Sequence, residues 1–489
     1  MKIVWVTSEA VPFAKTGGLA DVSGALPEAL AARGHDLYVI MPYYPQQFAK
    51  LDLTFDSSYN LLDIPLGNET KWAAVRIKKI RKGLTYCFIE YNRFFDRPTL
   101  YDWNGQEYPD NAERFIFFSR AAMQTISALR LNPDILHLND WHCALCAVYL
   151  KSLLYSGNPA FRNCRSVITI HNIGYQGIFD KFNILLTGLG WEYFNYGCLE
   201  FHDQLNLLKG GIMCADKVNT VSKTYAEEIL TPEYGFALDP ALQYCMKQGK
   251  LRGILNGIDV SEWDPEKDPL LPQNFTAQDL TGKAICKQAL QKRFGLPLKA
   301  KTPLFGVISR LAYQKGLDVF AAALEEMLAE NDFQFILIGS GDPSLQQWFK
   351  LLAEKYPQKL AIFIGYAQNK DSHLLEAGAD FFVMPSRYEP CGLNQMYSMR
   401  YGTLPIVRCT GGLADTVINY DPEKINTSTG FVLHELHTES LRNTIRWAAD
   451  VFRKKTEHIT LMRKNGMNTD FSWDHTASLY EEMYHDAHQ

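Results

Sequence analysis

Short continuous apolar runs alternate along this chain with longer stretches in which apolar residues recur every three or four positions. Continuous runs suit strands buried on both faces, and the longer periodicity suits helices that cover them, so the pattern predicts an α/β fold of doubly wound parallel sheets. The first series of strand-like runs covers residues 2–7, 36–41, 84–90, 134–138, 166–170 and 217–221; the second covers 303–309, 333–338, 360–364, 380–384 and 404–407. Between the series lies a polar, glycine-containing connection, residues 248–253, with a hinge expected near 250. The division expected is therefore 1–248, 249–465 and a closing segment 466–489.

Composition narrows the function classes. With 489 residues, a hydrophobic share of 47% and a charged share of 21%, the chain is an ordinary globular one with room for about two to three cores. A net charge of −5 leaves no basic footprint for nucleic acid or an anionic membrane surface. The apolar start, 1–6, is too short for a signal peptide, and no run reaches the roughly 18 apolar residues of a membrane span. Ten dilute cysteines suit a reducing compartment, so the cytoplasm is expected. Cys143-x-x-Cys146 stands without a second pair in a helical pattern and reads as two core thiols.

Chemistry-bearing residues cluster where apolar runs end. Ser386, Arg387 and Glu389 follow the run 381–384, with Pro390 and Gly392 punctuating the loop before a helical stretch. A carboxylate there could accept ribose hydroxyls while backbone N–H groups face a phosphate. Arg310 and Lys315 share one strand-to-helix loop, where two cations suit a diphosphate leaving group better than two idle surface charges. Lys15-Thr-Gly-Gly18 alone reads as a glycine turn beside a solvated lysine. Asp140 and Trp141 could bind a sugar through hydroxyls and an apolar face, or equally be a helix cap and a core ring; His171, at the end of another run, is by itself an ordinary hydrogen-bonded residue. The sextet Thr16-Gly-Gly-Leu-Ala-Asp21 recurs as Thr410-Gly-Gly-Leu-Ala-Asp415, a remnant of duplication or a coincidence. Neither a P-loop nor a Gly-x-Gly-x-x-Gly motif is present, which removes support for ATP hydrolysis and hydride transfer.

The stretch from Pro385 to Asp415, taken together with Lys15 to Asp21, resembles bacterial glycogen synthase and the plant starch synthases, and the likeness extends over nearly the whole chain. The resemblance implies two Rossmann-like domains facing a cleft (the GT-B type), with the C-terminal segment a helix returning to the first domain. It implies a retaining transfer of glucose from ADP-glucose to the non-reducing end of an α-1,4-glucan such as glycogen, with no cofactor and no metal. His171, Arg310, Lys315, Glu389 and Asp140 would be catalytic. Lys15, Gly17, Gly18, Asp21, Asn256, Tyr366, Cys391, Gly392, Leu393, Thr410, Gly411 and Gly412 would bind substrate, Tyr366 by stacking on adenine. Since no Asp-x-Asp clamp is present, Arg310, Lys315 and helix dipoles would carry the positive charge. No protein nucleophile is evident, which suits a front-face mechanism in which the departing phosphate helps deprotonate the acceptor. Tyr397 stands eight positions after Glu389, where other branches of this fold often carry a second glutamate; the synthase branch shares that replacement. The alternatives are a UDP-glucose-using enzyme of the same fold and a glucan-binding protein without catalysis.

Overall fold

The computed structural model describes residues 1–365 and 367–488. The chain divides into two compact units, Met1–Gly257 with Trp473–Gln489, and Ile258–Ser472.

In the first unit nine strands form one sheet: β1 (Lys2–Val6), β2 (Asp36–Pro42), β3 (Ser57–Leu66), β4 (Glu69–Arg81), β5 (Leu84–Glu90), β6 (Ile135–Asn139), β7 (Arg165–Ile170), β8 (Lys217–Thr220) and β9 (Leu251–Gly253). Their spatial order is β9-β8-β7-β6-β1-β2-β5-β4-β3. The sheet is parallel from β9 to β5, and β4 and β3 close that edge antiparallel. The hairpin Ser57–Arg81 thus adds an antiparallel edge to the expected doubly wound parallel sheet.

Residues 248–253, read from sequence as a connection, contain instead the edge strand β9, paired Val218↔Leu251 with β8. That pairing carries the first unit on to Gly257, beyond the expected boundary at 248. The return crossing falls at Ser472, where Ile258 N donates to Phe471 O at 2.8 Å. The last helix, Trp473–His488, packs into the core of the first unit through Tyr480 and Tyr484. Tyr484 OH lies 2.9 Å from His137 Nδ1 and Tyr480 OH 2.9 Å from Asn219 Nδ2, so this helix hydrogen-bonds two polar side chains inside the sheet.

The second unit holds a six-stranded, wholly parallel sheet: β10 (Leu304–Ile308), β11 (Gln334–Gly339), β12 (Leu360–Ile364), β13 (Phe381–Met384), β14 (Leu404–Arg408) and β15 (Phe431–Leu433). The order is β12-β11-β10-β13-β14-β15. Separate apolar clusters cover its two faces, the reason its strands read as unbroken hydrophobic runs. Strand order reverses between β10 and β13 here, and between β1 and β6 in the first unit. Such reversals open a crevice at the carboxyl ends of parallel strands.

Candidate active site

In the second unit, the crevice between β10 and β13 is a cavity of about 330 Å³. Arg310, Lys315, Ser386, Glu389, Gly392 and Leu393 all line it, as does Asn394. Two clamps hold its loops. Arg387 forms paired hydrogen bonds to Asp318, at 2.6 and 2.7 Å, and its guanidinium lies 3.6 Å from the centre of the Tyr313 ring. Gly316, with φ +64, lets the chain turn into α1 (Leu317–Glu330) where a Cβ would fall 1.9 Å from the Pro385 carbonyl. The loops after β10 and β13 are thereby locked together, and any side chain at Gly316 would pry them apart.

Glu389 is buried and accepts from Lys315 Nζ at 2.6 Å and Ser386 Oγ at 2.9 Å. Arg310 is exposed and makes no ion pair among the described residues. The cavity thus holds one neutralised cation and one uncompensated one, an electrostatic preference for an anion.

Thr410, Gly411, Gly412 and Cys391, expected to touch substrate, do not line this cavity; they are buried beside its loop. Gly412 N donates to Glu389 O at 3.1 Å, and a Cβ on Gly411 or Gly412 would fall 2.0 Å from the carbonyl of Glu389 or Cys391. They hold the Glu389 loop from behind. Tyr366 lies outside the described residues.

In the first unit the expected residues gather at the carboxyl ends of β1, β6 and β7. Asp140 follows β6 in a backbone conformation, φ +55 and ψ −171, that side chains other than glycine rarely adopt. Holding it there costs on the order of 1–3 kcal/mol, a strain that functional sites tend to keep. Its carboxylate accepts from the His171 N–H at 2.7 Å, yet burial pushes its pKa up to about 7. His171, partly exposed after β7, bonds Asn139 Oδ1 through Nε2 at 3.0 Å, and desolvation keeps the ring below the ordinary histidine range. Asp140 and His171 are therefore neighbours. Asn256 is buried beyond β9, and its Oδ1 has no partner among the described residues.

Lys15 pairs with Asp21 at 2.6 Å, and Cβ atoms built on Gly17 and Gly18 meet nothing within 4 Å. A carboxylate missed from the sequence stands behind that turn. Buried Glu9 accepts from the Thr16 hydroxyl at 2.9 Å, from the Thr16 N–H and, at 3.4 Å, from the Gly17 N–H. Its only sequence signal was its place just after the first apolar run.

A second concavity, of about 420 Å³, is lined by Glu107, Trp141, Gln176, Phe179 and Phe236 among others. Trp141 packs against Phe115 and His142 and also forms part of this wall. Cys143 and Cys146 are buried core thiols.

Residues 2–244 match the starch synthase catalytic domain model and residues 289–457 the model for glycosyl transferases group 1. The glycogen synthase of Anaeromyxobacter dehalogenans (strain 2CP-C) is 45% identical over 485 residues, 99% of this chain and 99% of its own length. The chain belongs to the glycogen synthase family. Glycogen synthase 1 of Geobacter sulfurreducens is a further family relative, 42% identical over 490 residues and covering 99% of this chain and 96% of its own. Among solved structures, the catalytic domain of starch synthase IV from Arabidopsis thaliana, bound to ADP and acarbose, is similar with a TM-score of 0.87 and 32% identity over 99% of each chain. Sucrose-phosphate synthase from Thermosynechococcus elongatus, at 17% identity and a TM-score of 0.60, shares the fold with the family. This family member is accordingly a glycosyltransferase of the two-domain GT-B class. No helix among the described residues is long and apolar enough to cross a membrane.

Proposed function

We propose that this enzyme transfers glucose from ADP-glucose to the non-reducing 4-hydroxyl of an α-1,4-glucan with retention of configuration, in the cytoplasm. The supporting observation is the cavity that Arg310, Lys315 and Glu389 share at the carboxyl ends of β10 and β13. In this reading the diphosphate takes the place of the Glu389 carboxylate beside Lys315, and Glu389, released, accepts a ribose hydroxyl. Arg310, Lys315 and the amino end of α1 then stabilise charge on the leaving diphosphate, an effect that in many enzymes speeds the reaction more than any other. Asp140 and His171 position the glucosyl unit as it gains oxocarbenium character. Lys15, Gly17 and Gly18 contact the diphosphate or the sugar. The departing phosphate helps deprotonate the acceptor hydroxyl.

The aromatic concavity of the first unit supports a glucan as acceptor. Tyr175, Phe179 and Phe236 supply apolar faces, and Glu107 supplies a hydroxyl partner, the combination that sugar rings require.

Initial rates of glucose incorporation into glycogen from ADP-glucose and UDP-glucose test the reading. A clear ADP-glucose preference is expected, and Lys315→Ala should lower turnover by roughly 100-fold or more with the fold intact, though melting at a lower temperature because the buried Glu389 carboxylate loses its cation. Preference for UDP-glucose would replace the donor assigned here, and no incorporation from either would leave a glucan-binding protein.

A further inference from the structure

The turn from Lys15 to Gly18 opens α1's counterpart in the first unit, the helix Gly18–Ala32. A helix normally has its free amides capped by a Ser, Thr, Asp or Asn at the position before it, whose side chain folds over the terminus. Here that position is Gly17, which has no side chain to offer. A carboxylate instead holds the turn just before the helix: Glu9, reaching up from the end of β1, accepts from the Thr16 and Gly17 amides and the Thr16 hydroxyl. The result is a terminus held from below with its outer face bare, since Cβ atoms on Gly17 and Gly18 would touch nothing within 4 Å.

Glu9 is itself firmly placed. It is 3% exposed, and Thr7 Oγ1 donates to its carbonyl at 2.9 Å. The following segment is tied by Ala14 N to Ala10 O at 3.0 Å and Val11 N to Ala20 O at 3.0 Å. Tyr101, Tyr44 and Asp140 are the titratable groups that face it. An ordinary N-cap would have stabilised the helix at the expense of the surface where a ligand has to come close.

We propose that Glu9 is a positioning residue for donor use: by fixing the Thr16 and Gly17 amides from the interior, it sets where Lys15 and the Gly18 amide meet the nucleotide sugar. This rests on the reading of Lys15 as a donor contact. Glu9 touches no substrate and acts only through the turn.

The test is steady-state kinetics on the full chain for the parent, Glu9→Gln, Glu9→Ala, Lys15→Ala and Glu9→Ala with Lys15→Ala. Glu9→Ala should raise the KM for ADP-glucose and lower kcat/KM on the order of 100-fold, the loss that a misplacement of about 1 Å brings, with the KM for glycogen unmoved. Glu9→Gln keeps shape and one acceptor, so it should restore much of that loss and serves if the alanine variant fails to fold. It should also make the acid limb of kcat/KM shallower, because Glu9 and Asp140 both titrate near neutrality and only Asp140 would remain. The double variant should fall little below Lys15→Ala, since both act through one turn. Parent-like rates in both Glu9 variants, or a double variant showing the full product of the two single losses, would overturn the proposal. Should Lys15→Ala work as well as the parent, the underlying reading of Lys15 fails and this inference with it.

Discussion

The same six residues, Thr-Gly-Gly-Leu-Ala-Asp, open a helix in each unit, and the two copies are used in opposite ways. At Thr16–Asp21 the glycines face open space and a buried carboxylate grips the amides from beneath. At Thr410–Asp415 the glycines are themselves buried, pressed onto the carbonyls of Glu389 and Cys391. The first copy presents backbone to the outside; the second supports a loop that presents a side chain. A Gly-Gly turn is thus a licence for close approach, and what approaches is decided by the rest of the fold.

That contrast can be broken most forcefully at Gly412. Alanine there puts a Cβ 2.0 Å from Cys391 O and 2.5 Å from its Cα, backbone that cannot swing aside. The expected cost exceeds about 3 kcal/mol, read as a lowered melting temperature and lost turnover as the Glu389 loop shifts. A somewhat smaller effect is expected with pH. Burial raises Glu9 from 4.5 and Asp140 from 3.8, each to about 7. The folded chain therefore holds protons that the unfolded chain has lost, so these two groups favour folding below about pH 4 and that contribution is lost as pH rises to 7. Melting should fall between pH 5 and 8, and Glu9→Gln should flatten the fall by on the order of 3 kcal/mol. An unaltered slope would mean that burial does not hold the proton on Glu9. Gly17→Ala, by contrast with Gly412→Ala, should shift melting by no more than about 0.5 kcal/mol, with any loss confined to donor kinetics. If the two substitutions melted alike, the contrast between the copies would be wrong. Asp21→Asn removes a pair whose lysine is half exposed and should likewise cost no more than about 0.5 kcal/mol in calorimetry.

Much of the architecture was legible because buried parallel strands must be apolar on both faces, and that leaves unbroken runs. Strand β9 escaped because three residues, Leu251, Arg252 and Gly253, contain no run; only pairing with β8 makes them a strand. The hairpin β3–β4 escaped because its exposed face carries Tyr59, Leu61 and Trp72, which blur the alternation of apolar and polar positions. Within the site, Arg310, Lys315 and Glu389 could be read from their places after strands. Glu9 could not, since its partners are backbone atoms and the fold alone brings a buried carboxylate under a turn. Identical letters at Thr410–Asp415 gave no sign of being buried, because burial there is imposed by the loop after β13.

One arrangement has consequences for how the protein is made. The helix Trp473–His488 supplies hydroxyls that hydrogen-bond His137 and Asn219, and Arg33 reaches Asp474 and Glu481 on it. On the ribosome, that helix emerges only after every residue of the second unit. The unit synthesised first is therefore the one finished last, and until then its core lacks Tyr480 and Tyr484, which makes it a natural client for a chaperone.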